Sequence, residues 1–219
     1  MHKNQKTTGD KIFDIFNILG FIIICAVTLY PFYYLLTLSL TSGDVPLTQL
    51  YLIPPKFSLE SYYKVLTNPD IGSGFINTII RTLLGTAISV FGVICTAYPL
   101  SKRYLVHKNI FTSFVVITMF VSGGTIPSYL LVKNIGLMDS IWALVLPTAI
   151  SAYNVIITRN FFMGIPESLE ESAKIDGAND ITILFLIIIP ISLPIIATIT
   201  LWVAVAHWNA WFDSLIYIT

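Results

Sequence analysis

Few residues in this chain have types and spacing that could do chemistry. His2, His107 and His207 stand in separate segments, and Cys25 and Cys95 lie in separate apolar runs with no CxxC or Cys/His cluster. That pattern argues against a metal centre or a disulfide. No GxxxxGK[ST], GxSxG or HExxH stretch occurs, so the machinery of nucleotide, ester or zinc-dependent hydrolysis is missing from the sequence. An intramembrane enzyme would need a reactive pair such as His207 and Asp213, whose place beside an apolar run suits a polar rim better. Two polar groups suggest binding instead. Ser151, Tyr153 and Asn154 interrupt one apolar run, where hydroxyl and amide groups either satisfy neighbouring helices or line a path for a polar solute. Trp208, Asn209 and Trp211 follow another run, as an interfacial aromatic belt or a platform on which a sugar ring could stack.

The elements that must position these groups are membrane helices. Of 219 residues, 55% are hydrophobic and 11% charged, with a mean hydropathy of +0.80. Twelve Lys and Arg balance twelve Asp and Glu, which leaves no charge bias toward nucleic acid. The polar tail 1–11 leads into an apolar run at 12–40, too long for the roughly 7–15 residues of a signal core and read as a retained span with Pro31 inside it. A polar loop at 41–74 ends in Gly72-Ser73-Gly74 and holds a helical segment, 57–66, expected to lie along the membrane surface.

A second span is predicted at 75–100, with Arg81 snorkelling to the interface rather than meeting a penalty of about 2.5–3.5 kcal/mol at the bilayer centre. Gly85 and Gly92 provide small sites for close helix contact. The third span begins near Tyr104 or Asn109 and breaks at 122–127. That break is either a pathway element or a helix end followed by a surface helix. The fourth runs over 140–162, capped by Asp139 or Ser140 and bent at Pro147. The fifth starts with Asn179 or Asp180 as its N-cap and extends to about Ala206, its regularity broken by Pro190 and Pro194.

Between the fourth and fifth spans lies a charged segment, 166–177, with complete helix punctuation. Pro166 suits the first helical position. Glu167, Glu170 and Glu171 place negative charge at the first turn, Lys174 lies near the other end, and Gly177 can adopt a left-handed stop. The helix so specified has about three turns, shorter than the roughly 12–15 residues an isolated helix needs to be even marginal in water. Leu169, Ser172, Ala173 and Asp176 share one face, where small residues allow close approach by another backbone.

The order Pro166, Glu167, Leu169, Glu171, Ala173, Asp176, Gly177, Ala178, Phe185, Pro190, Pro194 resembles the cytoplasmic EAA pattern of ABC importer permease subunits, carbohydrate-uptake branch, with Ser172 where the pattern has its first Ala. The stretch TAYPLSKR is similar to the family's end of the second span. SAYNVIITRNFF and HWNAWFDSLIYIT resemble permeases for oligosaccharides derived from complex polysaccharides. The resemblance implies an all-α membrane protein carrying five of the family's six transmembrane helices, with a coupling helix between helices four and five. The domain reading is a cytoplasmic tail at 1–11 and a permease domain at 12–219 that lacks the C-terminal sixth helix.

It further implies that Glu167, Leu169, Glu170, Glu171, Ala173, Asp176 and Gly177 form the interface to a separate ATPase subunit. A second permease subunit, an extracellular solute-binding protein and a sugar complete the expected partners. The chain itself would bind no cofactor, and ATP would be hydrolysed by the partner. Ser151, Tyr153, Asn154, Trp208 and Asn209 are the candidate substrate-pathway residues.

Charge bias gives an orientation that does not depend on the resemblance. With the N-terminus in the cytoplasm, Lys3, Lys6, Lys11, Lys102, Arg103, Lys108, Arg159 and Lys174 fall inside, against Lys56, Lys64, Arg81 and Lys133 outside. The expected location is a bacterial cytoplasmic membrane. Two other functions are weighed. One is an ion-gradient-driven secondary transporter, for which the spans offer no central Asp, Glu or Lys; the other is a non-functional truncated permease.

Overall fold

The computed structural model describes residues 8–46 and 51–218, so Lys3, Lys6 and the rest of the tail through residue 7 lie outside the described residues, as does Thr219. Regular structure among the described residues is helical, apart from one isolated antiparallel bridge between Thr41 and Phe57. The chain divides into two compact units, 1–73 and 74–219.

In the first unit, α1 runs over Thr8–Ser39 and continues through Pro31. Its apolar side chains are exposed around its circumference, Phe13, Phe16, Ile23 and Phe32 among them, as expected of a helix whose solvent is lipid. Thr37 and Thr41 near its end are buried and return their hydroxyls to the carbonyls of Tyr33 and Thr37. The following loop is closed by Ser42 N–H to Lys56 O at 3.0 Å, Ser58 N–H to Leu40 O at 2.9 Å and the Lys56–Asp44 ion pair at 2.5 Å. Lys56 holds the Asp44 carboxyl down to about 2, so this contact is complete above the ordinary carboxylate range and lets go only as pH falls through about 2. The short α2, Glu60–Thr67, buries no residue and carries a Glu60–Lys64 pair at 2.7 Å.

The long α3 occupies Pro69–Ser101 and begins before the predicted 75. Gly72, Ser73 and Gly74 are helical rather than a loop. Asn68 accepts the Asp70 N–H at 2.9 Å, Pro69 opens the helix and Asp70 sits in its first turn, so three start signals outweigh the glycines.

In the second unit, α3 packs with a series of bent helices. α4, Lys108–Phe120, and α5, Thr125–Asn134, meet at 112° across a break at Gly124, whose φ is +82°. α6, Ile141–Val145, extends by a 3₁₀ turn, Leu146–Thr148, and meets α7, Ala152–Met163, at 51°. α8 is Glu167–Ile175. α9, Asp180–Ile183, passes through a π-helical turn, Leu184–Ile188, into α10, Ile189–Ile191. α11, Leu193–Asn209, leaves that rod at 83°, and α12 is Phe212–Tyr217.

Among the described residues, two helices are long and apolar enough to cross a membrane, and the three bent pairs raise the number of spans to as many as five. The architecture is that of an all-α membrane protein. Its breaks have local causes. Pro190 has no N–H for the α-helical bond to the preceding turn and its ring crowds that turn, which the widened π turn relieves. Asn179 N-caps α9 as expected, accepting the Thr182 N–H at 2.8 Å. At the fourth span, Ser140 occupies the N-cap position without a side-chain cap bond, and the cap that matters is internal, with Ser151 accepting the Asn154 N–H of α7.

One core joins α3, α7 and α9–α11 through Val93, Ala97, Val155, Ile183, Ile188 and Ile199. A smaller one joins α5, α6 and α12 through Val132, Leu144 and Tyr217. Lipid is as apolar as leucine, so association within the bilayer depends on close fit and polar bonds rather than on escape from water. Gly85 illustrates that fit, since a Cβ placed there would lie 2.4 Å from His207 Nε2.

Candidate functional site

The acidic helix is local in origin and anchored by distant residues. Pro166, expected as the first helical residue, stands instead at the N-cap with φ −57° and ψ 128°, so that α8 begins one position later and is nine residues long. At its other end Gly177 adopts φ +84°. Its N–H reaches Lys174 O at 3.0 Å and the Ala178 N–H reaches Ala173 O at 2.9 Å, the paired bonds of a Schellman stop.

The seven residues expected on one interface divide between two faces. Glu170 is half-buried and ion-paired with the buried Lys102, whose ammonium also lies 3.9 Å from the centre of the Tyr98 ring. Ala173 is buried in the main core beside Ile165 and Phe162. These two residues face the chain itself. Glu167, Leu169, Glu171, Asp176 and Gly177 are exposed, and so is Ile175, at 86% of its surface, a residue that the sequence reading left out.

Two further ties are at the surface. Arg103 meets Glu167 at 2.8 Å, and Lys174 meets Asp180 at 3.1 Å and the Tyr104 hydroxyl at 3.4 Å. Exposed pairs of this kind contribute about 0–1 kcal/mol, whereas breaking one side of a buried pair costs about 3–5 kcal/mol, so Lys102–Glu170 dominates the attachment. Burial pushes the Lys102 ammonium below its ordinary value, with the Glu170 carboxylate working against that shift; the Asp180 carboxylate raises Lys174. The remaining basic residues of this region close the end of α3. Arg159 Nε donates to Leu100 O at 3.0 Å and Lys108 Nζ to Ser101 O at 3.2 Å, placing cations at the negative end of the helix dipole.

At the other end of the bundle, Arg81 does not snorkel. It is only 4% exposed and forms an ion pair with Asp213, while its guanidinium donates to Ala210 O at 3.1 Å, Ser214 Oγ at 3.3 Å and Leu144 O at 3.4 Å. A desolvated cation with a paired carboxylate and three further acceptors is held inside the protein through its two terminal nitrogens, while the buried Nε has no partner among the described residues. Asp213 is therefore held by Arg81, which removes the basis for a His207–Asp213 catalytic pair.

Arg81, His207 and Asp213 border a cavity of about 380 Å³ that also takes in Ser151, Tyr153, Asn154 and Trp202. Tyr153 and Trp202 have ring centroids 6.3 Å apart at 31°, forming one aromatic wall. Asn154 is buried and its side-chain amide has no hydrogen-bond partner among the described residues. Ser151 serves the fold as the α7 cap. Trp208 lies outside this cavity, edge-on to Phe75 at 5.8 Å, and Asn209 donates to Val205 O of its own helix at 2.9 Å. Sequence reading brought Tyr153 and Asn154 together and missed Trp202, which has no local polar neighbour to draw attention to it. Among the described residues, no cluster of three or more metal-ligating side chains occurs.

These features have counterparts in known proteins. The pattern of the binding-protein-dependent transport system inner membrane component matches residues 88–212, which include α8 and the cavity lining apart from Arg81 and Asp213. The polygalacturonan/rhamnogalacturonan transport system permease protein YtcP of Bacillus subtilis (strain 168) is 44% identical over 211 residues, covering 95% of this chain and 73% of that protein. Protein LplC of the same organism is 40% identical over 219 residues, 100% of this chain and 74% of that protein. Among solved structures, a bacterial ABC transporter involved in the import of the acidic polysaccharide alginate superposes with a TM-score of 0.93 at 32% identity, over 99% of this chain and 78% of that one. The chain belongs to the family of binding-protein-dependent transport system inner membrane components, the multi-pass permease subunits of ABC importers.

Proposed function

We propose that this chain forms one transmembrane half of an ATP-driven importer for oligosaccharides released from complex, acidic polysaccharides. The names of the polygalacturonan permease and of the alginate importer support that substrate class. Residues 12–219 act as the permease domain in a bacterial cytoplasmic membrane, with the tail 1–11 in the cytoplasm. A second permease subunit completes the path, an extracellular binding protein delivers the sugar, and separate ATPase subunits supply the energy, so that this chain binds no cofactor of its own.

The observation that carries the reading is the short α8, fixed from behind by Lys102 and Ala173, with Leu169 and Ile175 turned away from the protein. An exposed leucine and isoleucine on an otherwise charged helix suit a groove in an ATPase partner. Glu167, Glu171, Asp176 and Gly177 complete that face. Along the path, Tyr153 and Trp202 offer a sugar its apolar ring face and Asn154 meets its hydroxyls.

The test is co-purification in mild detergent with the ATPase and second permease subunits of its transporter. Ile175→Asp should abolish recovery of the ATPase while the second permease still co-purifies; full ATPase recovery would refute the docking face. In proteoliposomes carrying the complete transporter, Asn154→Leu should lower oligogalacturonide uptake by about tenfold, equivalent to about 1.4 kcal/mol, with assembly unchanged. Unaltered uptake would remove Asn154 from the path.

A further inference from the structure

Adjacent glutamates in α8 have opposite fates. Glu171, the glutamate of the EAA pattern, is exposed and has no ion-pair partner among the described residues. Glu170 turns inward to Lys102, just beyond the end of α3. Their side chains are 8% and 15% exposed on the Lys102 and Glu170 sides, against 83% and 56% for Arg103 and Glu167, and 42% and 54% for Lys174 and Asp180. Only the first of the three ion pairs is withdrawn from water, where the charges are screened least and separation leaves both uncompensated. The Tyr98 ring beneath the ammonium, T-shaped against Phe162 of α7, removes the space into which Lys102 could retreat.

We propose that Lys102 and Glu170 are positioning residues for transport: their buried ion pair makes α8 and the end of α3 move as one body, so that displacement of α8 by the ATPase becomes displacement of α3. Without it α8 would be held by Ala173 and two solvent-exposed pairs, and could turn on its seat without moving the span. The helix would then dock and hydrolysis would proceed, but less of each cycle would reach the pathway. This inference rests on the importer reading given above.

The experiment uses the complete transporter with Lys102→Glu, Glu170→Lys and the double exchange. Uptake of oligogalacturonides per ATP hydrolysed should fall about fivefold or more in each single variant, with the ATPase subunit still co-purifying, and should return to near the unsubstituted ratio in the exchange. A direct readout that needs no sugar is the distance between nitroxides on Ser168→Cys and the exposed native Cys95 of α3, with Cys25 replaced by Ser. Its distribution should be narrow in the unsubstituted complex, broad in the single variants and narrow again in the exchange. Single variants with unchanged ratio and distances would overturn the assignment, as would an exchange that restores neither. An unsubstituted complex that retains no ATPase subunit would refute the importer reading itself, and this inference with it.

Discussion

Arg81 gives up nearly all contact with solvent and lipid and places its two terminal guanidinium nitrogens on Asp213, Ser214 and the carbonyls of Leu144 and Ala210. Removing Asp213 alone leaves a buried cation, so Asp213→Ala should destabilise the detergent-solubilised protein by about 3–5 kcal/mol, read as a lowered thermal midpoint. Arg81→Met combined with Asp213→Leu should be much milder, because neither charge is then left alone. Gly85 is constrained by contact rather than charge. A methyl 2.4 Å from His207 Nε2 must displace that buried ring, and Gly85→Ala should cost about 1–3 kcal/mol. At Gly92 the nearest atom would be Ile150 Cγ1 at 3.1 Å, a side chain that can give way, so Gly92→Ala should have a smaller effect in the same melting assay.

The acidic α8 ends on a left-handed glycine whose Cβ position is open, with nothing within 4 Å. Gly177→Ala therefore meets no clash and carries only backbone strain of about 1–2 kcal/mol, enough to fray the last turn of a nine-residue helix. Hydrogen exchange should show faster amide exchange at Gly177 and Ala178, with the spans unaffected. This element was legible in sequence because its signals are local: acidic first turn, basic last turn, glycine stop. The five apolar runs were legible for the same reason, as was the Asn179 cap. Arg81 was not, since the carboxylate that holds it lies 132 positions away and no local pattern announces that pairing. The early start of α3 was hidden by two glycines that read as a loop, and the inward turn of Glu170 by its neighbour Glu171, which has the same charge and points outward without an ion-pair partner among the described residues.

In the second unit, five cations gather at one end. Lys102, Arg103, Lys108, Arg159 and Lys174 all lie around α8 and the end of α3. In a background without Cys25 and Cys95, a membrane-impermeant maleimide should label Ser168→Cys from the cytoplasmic side only and Tyr63→Cys from the opposite side only. The swapped pattern would reverse the proposed orientation, and labelling of both from one side would refute three crossings between the two sites. Between Arg81 and Ser101, α3 rises about 30 Å at about 1.5 Å per residue, close to the hydrocarbon thickness of a bilayer. It is pinned near both limits by a buried cation, Arg81 on Asp213 and Lys102 on Glu170. A shaft fixed at two points in this way cannot spin about its own axis without tearing one of them loose, but it can lean, so the motion it passes across the membrane is tilt and not twist.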